Sequence, residues 1–282
     1  VSRTIERAGS FGAPRLIFPR MRRTLITASF IVCAMFVAWT SWTRPILPPA
    51  ERGRRLAEHL GCLGCHGANG AEGVGNPGRT DRTVPGWTGD LMMYAKTAAE
   101  VRAWILDGAP ARKRASEQWR QQRDAGALVM PAYRGRITER EADDLVAFVM
   151  AVNGSPAPED SLARAGLERA NALGCTGCHG VGGRLARPNP GSFKGIVPSW
   201  DGHDFHELVK DRAEFVGWVE KGVSPRFAEN PIASWFLSRA DLRMPAYERH
   251  LQAGDREALW AYVQWLRRPV AATDSMTEVV GY

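Results

Sequence analysis

Two short stretches of the 282-residue chain share one pattern: Cys62-Leu63-Gly64-Cys65-His66 and Cys175-Thr176-Gly177-Cys178-His179. C-x-x-C-H is typical of covalent haem attachment, where two thiols form thioethers with the haem and the histidine supplies one axial nitrogen to the iron. A redox-active C-x-x-C pair needs no following histidine, and a zinc site does not account as well for two copies that both end in histidine. Disulfides between neighbouring cysteines would leave both histidines unexplained. The two motifs therefore predict two covalently bound haem c groups.

The sequence around the two motifs is also repeated. At a spacing of 113 residues the following match: Cys62 with Cys175, Gly53 with Gly166, Val84-Pro85 with Val197-Pro198, and Trp87 with Trp200. After one inserted residue near His203 the spacing is 114, and it pairs Glu100 with Glu214, Trp104 with Trp218, Gly108 with Gly222, Met130-Pro131-Ala132-Tyr133 with Met244-Pro245-Ala246-Tyr247, and Phe148 with Tyr262. Such self-similarity predicts two copies of one structural unit. We call residues 43–154 the first repeat and residues 155–282 the second repeat; a turn-rich stretch at 153–158 joins them.

Each repeat is predicted to be mostly helical. We expect a short helix before the motif (about 50–60 and 160–173), a second helix at 98–107 and 212–221, and a last helix at 138–152 and 255–267. Gly108 and Gly222 follow the second helix, where glycine commonly ends a helix. Thr138-Glu139-Arg140-Glu141 has the spacing of a capping box. Neither repeat contains a convincing run of alternating strand residues.

With these features, both repeats resemble class I cytochrome c domains, and the resemblance covers about 220 residues. It implies an all-α fold in which the first and last helices cross, with Gly53 against Phe148 and Gly166 against Tyr262. It also implies a sixth iron ligand, a methionine on a loop before the last helix, and Met130 and Met244 match it. These methionines come 64 and 65 residues after their histidines. That separation is longer than in compact members of the family, so each repeat carries an insertion between the motif and the methionine. The predicted ligand pairs are His66 with Met130 and His179 with Met244.

Other sulfur and imidazole groups are weaker candidates, because the repeat gives them no counterpart. They are Met92, Met93, Met150, His59, His203, His206 and His250.

Three further features have simpler explanations. Gly73–Gly78 matches G-x-G-x-x-G, but no strand precedes it, so it is interpreted as a loop under the haem. Trp87 and Trp200 could donate to haem propionates or pack against the haem edge. The basic residues at 110–123 predict a solvated helical face, with a docking patch for an acidic partner as the alternative.

Residues 24–42 carry no charge, and a helix of that length spans about 30 Å, the thickness of a membrane core. Arg20, Arg22 and Arg23 precede this run, which places residues 1–23 in the cytoplasm as a basic tail. The competing interpretation is a cleaved signal peptide, but the run is long for one and no A-x-A-like site follows. We therefore expect a retained anchor that contacts membrane lipid. Of the net charge of +7, residues 1–42 carry +5. Most of the excess positive charge therefore belongs to the predicted membrane anchor and its tail, and it indicates no nucleic-acid partner.

Together these features predict an N-terminal transmembrane helix followed by two tandem class I cytochrome c domains. The expected protein is an electron carrier on the periplasmic side of the bacterial inner membrane, and not itself an enzyme. Its partner would be an integral-membrane redox complex, of the bc or haem-copper oxidase type, or a soluble redox protein. A di-haem peroxidase and the cytochrome subunit of a periplasmic dehydrogenase are the alternatives.

Overall fold

A computed structural model describes residues 19–89, 91–154 and 156–268; the side chains of residues 19–24 and of Met92 are not among the described groups. The N-terminal part of the basic tail, residues 1–18, lies outside the described residues. The chain divides into two compact units, Val1–Arg44 and Pro45–Tyr282.

The first unit contains one helix, α1, which runs over Pro19–Thr43. Its segment Leu25–Thr43 is long and apolar enough to cross a membrane, by length and composition. Its large apolar side chains are exposed, and the rings of Trp39 and Trp42 meet edge to face at 6.1 Å near its C-terminal end. Membrane anchors and signal sequences share these properties.

The second unit is mostly helical. Its first-repeat helices are α2 (Pro49–His59), α3 (Cys62–His66), α4 (Leu91–Tyr94), α5 (Ala98–Asp107), α6 (Ala111–Ala115), α7 (Glu117–Ala125) and α8 (Glu139–Asn153). Its second-repeat helices are α9 (Ser161–Ala172), α10 (Cys175–His179), α11 (His203–Leu208), α12 (Arg212–Lys221), α13 (Pro225–Ala228), α14 (Pro231–Arg239) and α15 (Asp255–Arg267). Single 3-10 turns lie at Ala68–Gly70, Val181–Gly183 and Glu248–His250.

The helices expected from the sequence are confirmed to within two residues at each end. Gly108 and Gly222 follow α5 and α12 in the left-handed conformation, with φ of 73° and 74°. The Thr138 hydroxyl accepts from the backbone N–H of Glu141, whose carboxylate accepts from the Thr138 N–H, so the capping box is confirmed. The sequence did not predict the one sheet in the described part of the chain, in which β1 (Arg187–Pro188) pairs antiparallel with β2 (Ile196–Val197).

The first and last helices of each repeat pack tightly against one another, α2 on α8 and α9 on α15. A Cβ added at Gly53 would lie 1.9 Å from the backbone oxygen of Asp144 and 2.9 Å from the Cβ of Phe148. At Gly166 the corresponding distances are 2.0 Å to the Ala258 oxygen and 2.7 Å to the Tyr262 Cβ. The expected glycine–aromatic contacts are therefore confirmed.

Different ion pairs stabilise the two crossings. Arg52 forms a two-pronged pair with Asp144, at 2.6 and 2.8 Å, between α2 and α8. Arg169 contacts Asp255 at 2.8 Å between α9 and α15. The described part of the chain has two buried apolar clusters, one around Phe148 and the other around Tyr262.

Candidate functional site

In the first repeat, all four residues predicted to hold a haem line a single cavity. Cys62, Cys65, His66 and Met130 lie on the wall of a space of about 190 Å³. Most of the remaining wall is apolar, and it includes Ala57, Val84, Pro85, Trp87, Leu91, Ala95, Val101, Trp104, Ile105, Trp119, Leu128, Val129, Leu145 and Val149. A largely apolar pocket with a few converging polar groups is the usual form of a cofactor site.

In the second repeat, Cys175 and Met244 pack against one buried apolar cluster, which contains Trp200. The ring of His179 contacts that tryptophan, with the ring centroids 5.0 Å apart. Cys178 is half-buried, one residue before His179 in α10. Three of the four predicted residues of this repeat are thus joined through Trp200 and its cluster.

Both histidines present the same nitrogen for a ligand bond. The Nδ1 of His66 lies 2.9 Å from the carbonyl oxygen of Pro85, and the Nδ1 of His179 lies 2.8 Å from that of Pro198. A carbonyl can only accept, so Nδ1 carries the proton and Nε2 keeps its lone pair. Burial lowers the pKa of both imidazoles below the usual range, which keeps the rings neutral. Neutral imidazole fixed by a backbone carbonyl is the arrangement that metal-binding histidines use.

Burial favours the protonated thiol form of the first cysteine in each motif. Burial is the largest cause that raises the pKa of Cys62 above its usual range, and it raises the pKa of Cys175 to about 11. The members of each pair are three residues apart on one short helix, α3 or α10, so they lie on the same side of it as neighbours. Two thiols, a neutral imidazole and an apolar wall fit a c-type haem.

Trp87 and Trp200 lie behind the histidines. The Trp87 ring is 4.9 Å from that of His66 and meets Phe148 edge to face at 5.5 Å; Trp200 makes the equivalent contacts with His179 and Tyr262. These contacts favour a packing role over donation to propionates.

The chain makes room for each indole with a glycine. A Cβ at Gly70 would lie 1.9 Å from the ring of Trp87, and one at Gly183 would lie 2.0 Å from the ring of Trp200. The carbonyl oxygens of these same glycines accept from the backbone N–H groups of Trp87 and Trp200, both at 2.7 Å. Each indole ring therefore packs directly against a glycine backbone, where any side chain would clash with the ring.

The loops that carry Met130 and Met244 pass close to the end of the second helix of each repeat. A Cβ at Gly108 would be 2.9 Å from the Met130 oxygen, and one at Gly222 would be 2.4 Å from the Met244 oxygen. Three residues further on, the N–H of Tyr133 donates to Ile105 at 3.1 Å. The N–H of Tyr247 donates to Val219 at 2.9 Å.

Two asparagines that were not predicted from the sequence form hydrogen bonds with these loops on the N-terminal side of each methionine. Asn76 donates from Nδ2 to the Leu128 oxygen and accepts the Leu128 N–H on Oδ1, both at 2.9 Å. Asn189 does the same with Leu242, at 3.0 and 2.8 Å. Each asparagine is buried and ties down the residue two positions before the methionine. The signal was present in the repeat, because Asn76-Pro77-Gly78 recurs as Asn189-Pro190-Gly191 at the 113-residue spacing.

The weaker candidates with described side chains do not line the first-repeat cavity. Met93 and His59 are exposed, and Met150 packs against the buried cluster around Phe148. In the second repeat, the exposed His203 lies beside Asp204 and Glu207, and His206 contacts Arg267. His250 is also exposed and accepts from Arg169 through its backbone oxygen. The side chain of Met92 lies outside the described groups.

The basic stretch at 110–123 is largely paired within the repeat. Arg112 contacts Glu100 at 2.5 Å, Arg123 contacts Asp124 at 2.6 Å, and Arg120 contacts Glu117. Exposed pairs of this kind partly neutralise one another. They favour the interpretation as a solvated face.

Comparison with known proteins identifies a cytochrome c domain in the chain. The family model described as cytochrome c matches residues 50–153, which lie within the first repeat. A domain of this family carries covalently bound haem c and transfers electrons. No curated protein matches the chain.

One solved structure similar to the chain belongs to a reducing HAO-like protein complex of Kuenenia stuttgartiensis. The identity is 17%, the match covers 78% of this chain and 98% of that chain, and the TM-score is 0.25.

Proposed function

We propose that the chain is a membrane-anchored di-haem c-type cytochrome, with a second cytochrome c domain in residues 155–282. The observation that carries this proposal is the second histidine site. The contacts of the first site, in the domain that the family model matches, recur in the second. His179 contacts Pro198 and Trp200 as His66 contacts Pro85 and Trp87. Gly183 and Asn189 take the places of Gly70 and Asn76.

In this proposal Cys62 and Cys65 attach one haem, and Cys175 and Cys178 attach the other. His66 and His179 would each bind an iron through Nε2, and Met130 and Met244 would each supply a sulfur ligand. Bound haem supplies one-electron exchange between the ferrous and ferric states, and methionine ligation raises the potential.

The protein's own contribution is to hold both axial groups still. The proline carbonyls fix the histidine tautomers, and the apolar walls exclude water. The asparagine and tyrosine contacts hold each methionine loop on both sides of the sulfur ligand. These contacts support an electron carrier over a di-haem peroxidase, because a peroxidase must open one axial position.

The anchor is proposed from α1, whose uncharged segment follows three arginines. Arg20, Arg22 and Arg23 keep the N-terminal tail in the cytoplasm, so that residues from 45 onward lie in the periplasm of a bacterial cell. The relay would then exchange electrons with an integral-membrane redox complex, such as a bc-type complex or a haem-copper oxidase, or with a soluble redox protein.

The decisive experiment counts haem in cysteine variants. Denatured wild-type protein should retain two haems per chain, measured against protein mass. The double variant Cys175→Ser, Cys178→Ser should retain one, and the matched variant Cys62→Ser, Cys65→Ser should also retain one. A wild type with a single covalent haem, unchanged by the second-repeat substitutions, would refute the second site.

A further inference from the structure

Leu185 belongs to the second repeat by sequence but lies in the buried core of the first. Among the described residues it is the one member of the cluster around Phe148 that comes from beyond residue 154, and it is 4% exposed. Its backbone N–H donates to the carbonyl oxygen of His179 at 3.3 Å. One residue therefore contacts both the core of the first repeat and the histidine of the second motif.

A sharp turn directs Leu185 to this place. Gly180, directly after His179, has φ of +75°, and a Cβ there would lie 2.3 Å from the Cβ of Leu185. The following 3-10 turn, Val181–Gly183, packs against α8 of the first repeat. Arg184 then donates to the Pro156 oxygen at 3.1 Å, which ties the same turn to the linker.

The two repeats differ at this position, although their haem motifs match. The residues equivalent to Leu185 and Ala186 at the 113-residue spacing are Glu72 and Gly73. Glu72 is exposed, whereas Leu185 and Ala186 are buried. A single repeat can therefore form its motif and turn with a charged residue here, so the leucine serves the contact between the repeats.

On the first-repeat side of this contact, two aromatic rings lie between the buried cluster and the ring of His66. Phe148 is fully buried on α8 and shares the cluster with Leu185. Its ring meets Trp87 edge to face at 5.5 Å, and Trp87 lies 4.9 Å from the ring of His66. The cluster that contains Leu185 therefore reaches His66 through Phe148 and Trp87, and the Leu185 backbone reaches His179 through a hydrogen bond.

We propose that Leu185 is the positioning residue of an inter-haem joint and that electron exchange between the two haems depends on this contact. The inference rests on the proposed function, since it requires two haems. Electron exchange between two haems depends on how closely the two sites are held, so a gap or a hydrated charge at Leu185 that loosens the packing between the repeats slows the exchange. The joint also fixes the two sites relative to one another, because α8 and the 180–185 turn pack as one core.

The test compares three substitutions in the full-length holoprotein. Leu185→Glu introduces the residue that the first repeat carries at position 72, and Leu185→Ala removes most of the contact without adding charge. Leu185→Met is the matched control, since it keeps the volume and apolar character. A photoreductant delivers less than one electron per chain, and redistribution between the haems is followed by absorbance and by freeze-quench EPR, which counts the two ferric haems separately.

We expect Leu185→Glu to slow the redistribution several-fold, Leu185→Ala to slow it less, and Leu185→Met to match the wild type. Haem content should stay unchanged in all three variants, both midpoint potentials should stay unchanged in the uncharged variants Leu185→Ala and Leu185→Met, and the rate should not depend on protein concentration. An unchanged rate in Leu185→Ala and Leu185→Glu, with two haems present, would overturn the joint and leave the proposed function intact. If Leu185→Glu does not fold, the redistribution rate of Leu185→Ala, compared with that of Leu185→Met, decides whether the contact is needed. A wild type with one haem would instead refute the proposed function, and the haem count shows this before any rate is measured.

Discussion

Met130 and Met244 depend on their neighbours for position, because a thioether on a loop has little to hold it there. The side-chain amides of Asn76 and Asn189 each form two hydrogen bonds with the backbone two residues before the methionine. The backbone N–H of a tyrosine forms another hydrogen bond three residues after the methionine. Two buried hydrogen bonds from one side chain leave two backbone groups without a partner when that side chain is removed. At the residue scale, the asparagine is therefore the group whose loss should release the proposed methionine ligand.

Asn76→Ala should weaken methionine ligation at the first haem and leave the second unchanged. The loss of the two hydrogen bonds with Leu128 should cost about 1–3 kcal/mol of stability. The ferric protein should then show a high-spin fraction at one haem by resonance Raman spectroscopy. Asn189→Ala is the reciprocal control and should affect the opposite haem. If neither variant changes the spin state, the asparagines do not position the ligands.

At the scale of elements, the sequence predicted the long helices and missed the short ones. Helices α5, α8 and α12 carry clear signals, namely Gly108, the Thr138 capping box and Gly222. Helices such as α7 and α14 are nine residues long and lie in the insertion before each methionine. Their apolar periodicity covers too few turns to be recognised. Each begins at a side-chain cap, Ser116 or Asn230, that is informative only once the helix is known.

Gly53→Ala tests the closest helix crossing in the first repeat. The new Cβ would lie 1.9 Å from the Asp144 oxygen, so α2 and α8 must move apart. Overpacking of this kind costs about 1–3 kcal/mol, which exceeds the gain of about 1 kcal/mol from alanine in a helix. We expect lower stability in denaturant unfolding, and the same effect for Gly166→Ala in the second repeat. His59→Ala, at the exposed end of α2, is the control and should change stability little. Equal stabilities for all three variants would contradict the close crossing.

At the scale of the whole molecule, the repeat predicted two similar units but not how they meet. Leu185 looks unremarkable in the sequence, because a leucine after a haem motif could pack within its own repeat. The structure shows instead that it fills the neighbour's core, and Glu72 at the equivalent place has no such role. A contact made by only one copy leaves no signal at the repeat spacing. For this reason the pattern of the sequence points to the candidate histidines, cysteines and methionines but not to the residue between the repeats.

The division of the chain at Arg44 leads to a prediction about the N-terminal helix. Full-length protein should sediment with membranes and resist extraction by alkaline carbonate, because Leu25–Thr43 can span the hydrocarbon core. Residues 45–282, exported behind a cleavable signal, should be soluble and retain two haems, since both proposed sites lie entirely in this unit. Protease added to spheroplasts should reach residues 45–282, because a membrane span preceded by arginines is expected to keep its N-terminus in the cytoplasm. The control is Leu25→Arg with Phe30→Arg and Phe36→Arg, which places three charges in the span and should prevent insertion without touching either haem site. A mature N-terminus beyond residue 42, together with a soluble periplasmic pool of wild-type protein, would show that α1 is a signal sequence and not an anchor.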